Sequence, residues 1–242
     1  LVGSEMCIRD RRIVRLKGGH NEKVVFKIMK KLLLITGLLG IMVSCGSKKE
    51  VSAAPAGVPK EYIQYLDTLK ADNNLKITMG GNPVTIVGKE TKVGDTLKGV
   101  PLTVNSKLEE KNILADKAIK VIYTAPSLDT KVCSLQTKML NTAAAKYPNV
   151  KFYSVTVDTP FAQERFCTAN DINGIKAVSD YKYHQFGAQN GLLMKESGLL
   201  TRALMIVDEN NVVKYIEYVP EQGKEANVDK ALKFLQEKML KK

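Results

Sequence analysis

The sequence predicts an α/β fold in which a central mixed sheet is flanked by helices and carries a β-hairpin at its N-terminal side. Three observations predict it: two short β-rich apolar runs bracket a stretch of helical periodicity, a proline-led helix follows, and a second hairpin runs into an amphipathic C-terminal helix. In order, Leu75 to Val87 alternates around Gly80-Gly81-Asn82, a hairpin signal. Ile119 to Tyr123 is a short apolar run suited to a buried strand. After Cys133, the residues Leu135, Met139, Leu140, Ala143, Ala144 and Tyr147 recur at helical spacing, and Pro148-Asn149 stops them. Val150 to Val157 reads as the next strand, so β-α-β with parallel pairing and a right-handed crossover is expected. Thr159-Pro160 supplies an N-cap and a proline at the first helical position. Ala203 to Val207 and Val212 to Tyr218 flank Asp208-Glu209-Asn210-Asn211 as a second hairpin, and Val228, Ala231, Leu232, Leu235 and Met239 define the last helix.

The N-terminal third is organised differently. Met29-Lys30-Lys31, the uncharged run Leu32 to Val43, and Ser44-Cys45-Gly46 read as a basic segment, a hydrophobic segment and a small residue before a cysteine. This pattern resembles a bacterial lipoprotein signal over residues 29–44, which implies lipidation of Cys45 and a place in the cell envelope, facing the periplasm or exterior. Met42 stands three before Cys45, where such signals usually carry leucine. The rival reading is an uncleaved anchor or a soluble secretory signal. The apolar run is shorter than the roughly 20 residues that span a bilayer. Residues 1–28 precede the Met at which an export signal should start, so they read as upstream translation, with no role for Cys7. Residues 45–74 read as a tether, rich in Ser, Lys, Ala, Pro and Gly up to about Lys60, with Tyr62, Leu66 and Leu69 compatible with one short helix. The folded domain is then 75–242.

Charge and composition narrow the function. The chain has 242 residues, 44% of them hydrophobic, enough for a packed core, and a formal net charge of +12. Residues 1–50 hold 11 Lys and Arg against 4 Asp and Glu, which is +7 of that total. The other basic residues are scattered, whereas a nucleic-acid surface concentrates them, so no nucleic-acid partner is expected. The two histidines, His20 and His184, and the lack of any C-x-x-C pair leave no plausible metal site. No phosphate-binding glycine loop is present, and no cofactor is expected.

The candidate chemistry lies in two cysteines. Cys133 ends Pro126-Ser127-Leu128-Asp129-Thr130-Lys131-Val132-Cys133, directly after a strand, and Cys167 ends Pro160-Phe161-Ala162-Gln163-Glu164-Arg165-Phe166-Cys167. A cysteine at the mouth of a helix faces unpaired backbone N–H groups, which favour the nucleophilic thiolate. Lys131 adds a positive charge two residues earlier. Taken singly, each residue has a plainer reading: Cys133 as a buried structural cysteine, Thr130 as an N-cap, Arg202 as a solvated charge, Pro126 as a strand terminator.

These segments resemble the thiol peroxidase branch, an atypical two-cysteine branch, of the peroxiredoxins, whose pattern runs P-S-x-D-T-x-V-C and then P-F-A-Q-x-R-F-C. The likeness extends to Gly81-Asn82-Pro83-Val84-Thr85, Lys92-Val93-Gly94-Asp95 and Arg202 to Asn210, and so spans roughly residues 75 to 240. It implies a thioredoxin-like fold, which the element order also suggests. It implies reduction of hydrogen peroxide and organic hydroperoxides, with Cys133 as the peroxidatic residue and Cys167 as the resolving residue. Thr130 would hydrogen-bond peroxide and sulfur, Arg202 would stabilise the thiolate and the transition state, and Pro126 would shield the site. A Cys133–Cys167 disulfide during turnover, recycling by thioredoxin or an exported thioredoxin-like reductant, and a homodimer are implied in the same way. Just after the segment Ser179-Asp180-Tyr181 to Phe186-Gly187, Asn190-Gly191 stands where the family often has an aromatic-glycine pair, a departure that would alter the subunit contact the resemblance implies. Two other readings stay open: an exported, non-catalytic domain in which the same pair is a permanent staple, and a peroxide sensor using the same chemistry.

Overall fold

The computed structural model describes residues 69–241. The expected signal at 29–44, the lipidation candidate Cys45, Cys7, His20 and the expected short helix at Tyr62 and Leu66 fall outside the described residues.

Twelve strands are seen among the described residues: β1 (Ala71–Asp72), β2 (Ile77–Met79), β3 (Asn82–Val84), β4 (Ile86–Lys89), β5 (Leu102–Thr103), β6 (Glu110–Lys111), β7 (Lys120–Thr124), β8 (Lys151–Thr156), β9 (Lys176–Ser179), β10 (Leu193–Met194), β11 (Ala203–Val207) and β12 (Val213–Tyr218). The helices are α1 (Lys131–Ala144), α2 (Pro160–Ala169), α3 (Gln185–Gln189) and α4 (Val228–Phe234), the last running on as a π-helical turn at Leu235–Leu240. The main sheet has the order β12-β11-β7-β8-β9-β5-β6. β7, β8 and β9 pair in parallel, and β11 and β12 add antiparallel neighbours, which makes the sheet mixed as expected. The expected N-terminal hairpin is β2–β3, with Met79 opposite Asn82 and both turn glycines at positive φ.

The boundary between tether and domain differs from the expected one. Ala71–Asp72 pairs in parallel with Gly88–Lys89, and Asn73 donates from Nδ2 to Ile86 O and Gly88 O at 2.9 and 2.8 Å. Two paired residues are too few to show a strand periodicity in the sequence. Gly191 follows α3 at φ +63°, where an added Cβ would stand 2.1 Å from Lys89 O, so no side chain fits between these backbones.

Both faces of the central strands are buried, which is why they read as continuous apolar runs. Strand alternation divides them. Val121, Tyr123, Phe152, Leu204 and Ile206 face one core with α1 and α4, while Ile122, Tyr153, Val155 and Met205 face the other with Phe186 of α3. Helix α1 departs from the expected apolar face. Its buried stripe is Cys133, Gln136, Thr137, Leu140, Ala143 and Ala144, whereas Leu135 and Met139 are exposed. At about 100° per residue, Leu135 and Met139 sit about half a turn from Thr137. Helix α2 starts as expected, with Thr159 Oγ1 accepting from Ala162 N and Pro160 at its first position.

Candidate active site

Strand β7 ends at Thr124, and Ala125 still donates from N to Val155 O at 3.2 Å. Pro126, which is buried and has no N–H, terminates the ladder and turns the chain into the loop before α1. Asp158, at the end of β8, holds that loop: it accepts from Ser127 Oγ and from Leu128 N, each at 2.7 Å, and from Thr156 Oγ1 at 2.8 Å. Gln163 of α2 donates to the same Thr156 hydroxyl at 3.0 Å, so the start of α1 and the helix bearing Cys167 are tied to one strand end.

Cys133 is the third residue of α1 and has no exposed surface. Its neighbouring first-turn N–H groups have no intrahelical acceptor. Thr130 occupies the N-cap position, but its side chain caps no backbone N–H. Its Oγ1 stands 2.7 Å from Cys133 Sγ and 3.1 Å from Ser127 O. The hydroxyl has one proton to give, so these two contacts alternate with the state of the sulfur.

Arg202 approaches from the opposite side. The solvated charge that its identity alone suggests is not what is found, because only 2% of Arg202 is exposed. It precedes β11, and alternation with Leu204 and Ile206 turns it toward the core that contains Cys133. Nη1 donates to Cys133 Sγ at 3.2 Å and to Tyr123 Oη, and Nη2 donates to Gln222 O at 2.7 Å. Gln222 also accepts from Arg202 N and is itself held by Thr201 Oγ1 and Val219 O, both at 2.9 Å. Among the described residues no carboxylate forms an ion pair with Arg202. Its charge is therefore left to the sulfur and to whatever lies beside it.

Cys167 sits elsewhere. It is half-buried in the last turn of α2 and forms part of the wall of a cavity of about 760 Å³ with Tyr153, Ile172 and Ile175. Burial pushes its thiol above the ordinary value. Both cysteines are free. Thr130, Cys133 and Arg202 are thus brought together, with Pro126 at the head of their loop, and Cys167 lies in a separate continuous helix.

The redoxin family profile matches residues 92–232, the stretch that holds all of these groups. The thiol peroxidase of Bacillus subtilis (strain 168) is 42% identical over 158 residues, covering 65% of this chain and 94% of that protein. The chain belongs to the thiol peroxidase branch of the redoxins. The thiol peroxidase of Clostridium acetobutylicum is 38% identical over 162 residues, covering 67% of this chain and 98% of that one. A crystal structure of a peroxiredoxin-like protein from Aquifex aeolicus matches with a TM-score of 0.63 at 38% identity, over 66% of this chain and 95% of that one. The thioredoxin-like peroxiredoxin fold read from the sequence is the fold observed.

Sequence reasoning about this thiol peroxidase missed Tyr123, Gln136, Asp158 and Gln222. Tyr123 passed as one more apolar residue of a strand, and Gln136 as a polar position in a helix. The burial of Gln136 and Thr137 on α1, and with it the network, appears only in the structure.

Proposed function

We propose that this thiol-dependent peroxidase reduces hydrogen peroxide and small organic hydroperoxides through a sulfenic acid on Cys133 and a disulfide with Cys167. The observation that carries the reading is the convergence of Thr130 Oγ1 at 2.7 Å and Arg202 Nη1 at 3.2 Å on a fully buried sulfur. A buried thiolate is costly without such partners, and a hydroxyl and a guanidinium with no carboxylate of its own are suited to stabilise it.

The thiolate of Cys133 attacks one oxygen of the peroxide. An S–O bond forms, the O–O bond breaks, and the distal oxygen leaves with a proton as water or an alcohol. Charge grows on that leaving oxygen, next to the Arg202 guanidinium, in a water-poor site where fixed donors act strongly. While Cys133 is a thiol, its S–H donates to Thr130 Oγ1 and the threonine hydroxyl donates to Ser127 O. Once it is a thiolate, the hydroxyl turns to the sulfur. The Cys167 thiolate then attacks Cys133 Sγ of the sulfenic acid, and hydroxide leaves as water after taking up a proton. Both cysteines lie within continuous helices, so this step calls for local unwinding of one or both. An external dithiol of thioredoxin type restores the reduced pair by thiol–disulfide exchange.

The same reading places the enzyme in the cell envelope, anchored through lipid on Cys45, on the strength of the pattern at residues 29–45. Its reductant is then an exported thioredoxin-like protein, and the working form is a homodimer. Peroxide consumption by reduced protein with dithiothreitol tests the catalytic part. Wild type consumes peroxide and Cys133→Ser does not; equal consumption by both would exclude Cys133 as the nucleophile.

A further inference from the structure

Behind Cys133 runs a chain of buried hydrogen bonds whose direction is fixed from one end. Ala226 presents both of its backbone groups to Gln136: its N–H donates to Oε1 at 3.2 Å, and its carbonyl accepts from Nε2 at 2.7 Å. This pair admits one orientation of the Gln136 amide. Oε1 is then the atom facing Tyr123, and a carbonyl oxygen can only accept, so the Tyr123 hydroxyl donates to it at 3.1 Å. The lone pairs of Tyr123 Oη are left for Arg202, whose Nη1 donates to that oxygen with one hydrogen and to Cys133 Sγ with the other.

We infer that Tyr123 is a positioning residue for the peroxidase reaction, a neutral acceptor that aims Arg202 Nη1 at Cys133 Sγ without neutralising the guanidinium. This rests on the proposed catalytic roles of Cys133 and Arg202. A carboxylate in the same place would orient Nη1 equally well but would draw its charge away from the sulfur and the leaving oxygen. A phenol accepts and stays uncharged. Desolvation of the fully buried ring raises the tyrosine well above its ordinary value and keeps the hydroxyl protonated. Gln222 fixes the other end of the guanidinium through its carbonyl, again with a neutral group. The charge of Arg202 is thus framed by oriented dipoles, a preorganised environment for negative charge that appears during reaction.

The test is Tyr123→Phe, which keeps the ring and the strand and removes one oxygen. In a background with Cys7, Cys45 and Cys167 all replaced by serine, thiolate absorbance followed over about pH 4 to 9 reads Cys133 alone, and stopped-flow mixing of the otherwise wild-type enzyme with hydrogen peroxide reads kcat/KM. The expected result is a Cys133 thiolate edge displaced to higher pH and a fall in kcat/KM of about tenfold or more, as for a small misplacement of a catalytic group. A change in packing alone would lower stability and leave the thiolate edge in place. Gln136→Met, which takes away the acceptor that orients the hydroxyl, moves both readings in the same direction by less, and it serves if Tyr123→Phe does not fold. An unmoved edge with kcat/KM within about twofold of wild type in either folded variant overturns the inference. A wild type that consumes no peroxide overturns the peroxidase reading instead, and a displaced edge would still sustain the relay.

Discussion

Arg202 Nη1 lies 3.2 Å from Cys133 Sγ although 69 positions separate the two residues in the chain. Strand pairing closes that gap: β11 runs antiparallel to β7, and Leu204 stands opposite Tyr123. The guanidinium thereby reaches the strand whose end feeds the cysteine helix.

Arg202→Gln removes the charge and leaves an uncharged amide donor on a shorter side chain, while Arg202→Lys keeps the charge without the planar fork. Loss of about a hundredfold or more in kcat/KM is expected, the scale of deleting one preorganised donor to developing charge. Stopped-flow peroxide reduction measures it, and a loss below about threefold would remove Arg202 from the chemistry.

Thr130→Val deletes the hydroxyl 2.7 Å from the sulfur and keeps the branched shape. Activity should fall by about a hundredfold, while Thr130→Ser stays within a few-fold of wild type. Because Thr130 makes no capping bond to a backbone N–H, helix stability should change little in either variant, which urea unfolding checks.

Asp158 holds the loop that leads into α1 through Ser127 Oγ and Leu128 N. Asp158→Ala should destabilise the domain by about 2 kcal/mol and more than halve peroxide turnover, because two charge-assisted bonds to the loop are lost. Thermal or urea unfolding together with activity would show whether loop and catalysis move together.

Much of this architecture was legible in the sequence because the buried strands Ile119–Tyr123, Val150–Val157 and Ala203–Val207 are apolar on both parities and bounded by breakers. The strands β5, β6, β9 and β10 were not, since two to four residues cannot establish a period. The site divides in the same way. Cys133, Thr130 and Cys167 stand in dense local motifs. The burial of Arg202 follows from its parity with Leu204 and Ile206, which becomes visible only once the sheet is known. Tyr123 and Gln136 work through partners far along the chain, and nothing local announces them.

Asp180 gives a pH signature away from the site. It is 2% exposed and accepts from Phe186 N at 3.1 Å and Gly187 N at 2.8 Å; burial, offset in part by those bonds, holds its carboxyl up at about 6 against an ordinary 3.8. The folded state therefore binds this proton more tightly than the unfolded chain. Its contribution is fully present below the unfolded value and is lost as pH rises through about 6. Wild type should lose up to about 3 kcal/mol relative to Asp180→Asn between about pH 4 and 7, measured as the difference in urea unfolding free energies.

The measurement that bears most directly on the central claim is mass analysis of reduced protein after one equivalent of hydrogen peroxide. Wild type should lose two thiols and gain an intramolecular Cys133–Cys167 disulfide, Cys167→Ser should gain one oxygen on Cys133, and Cys133→Ser should remain unmodified. Oxidation of Cys167 in the absence of Cys133, or a wild type in which Cys133 and Cys167 stay reduced in the presence of peroxide, would contradict this mechanism.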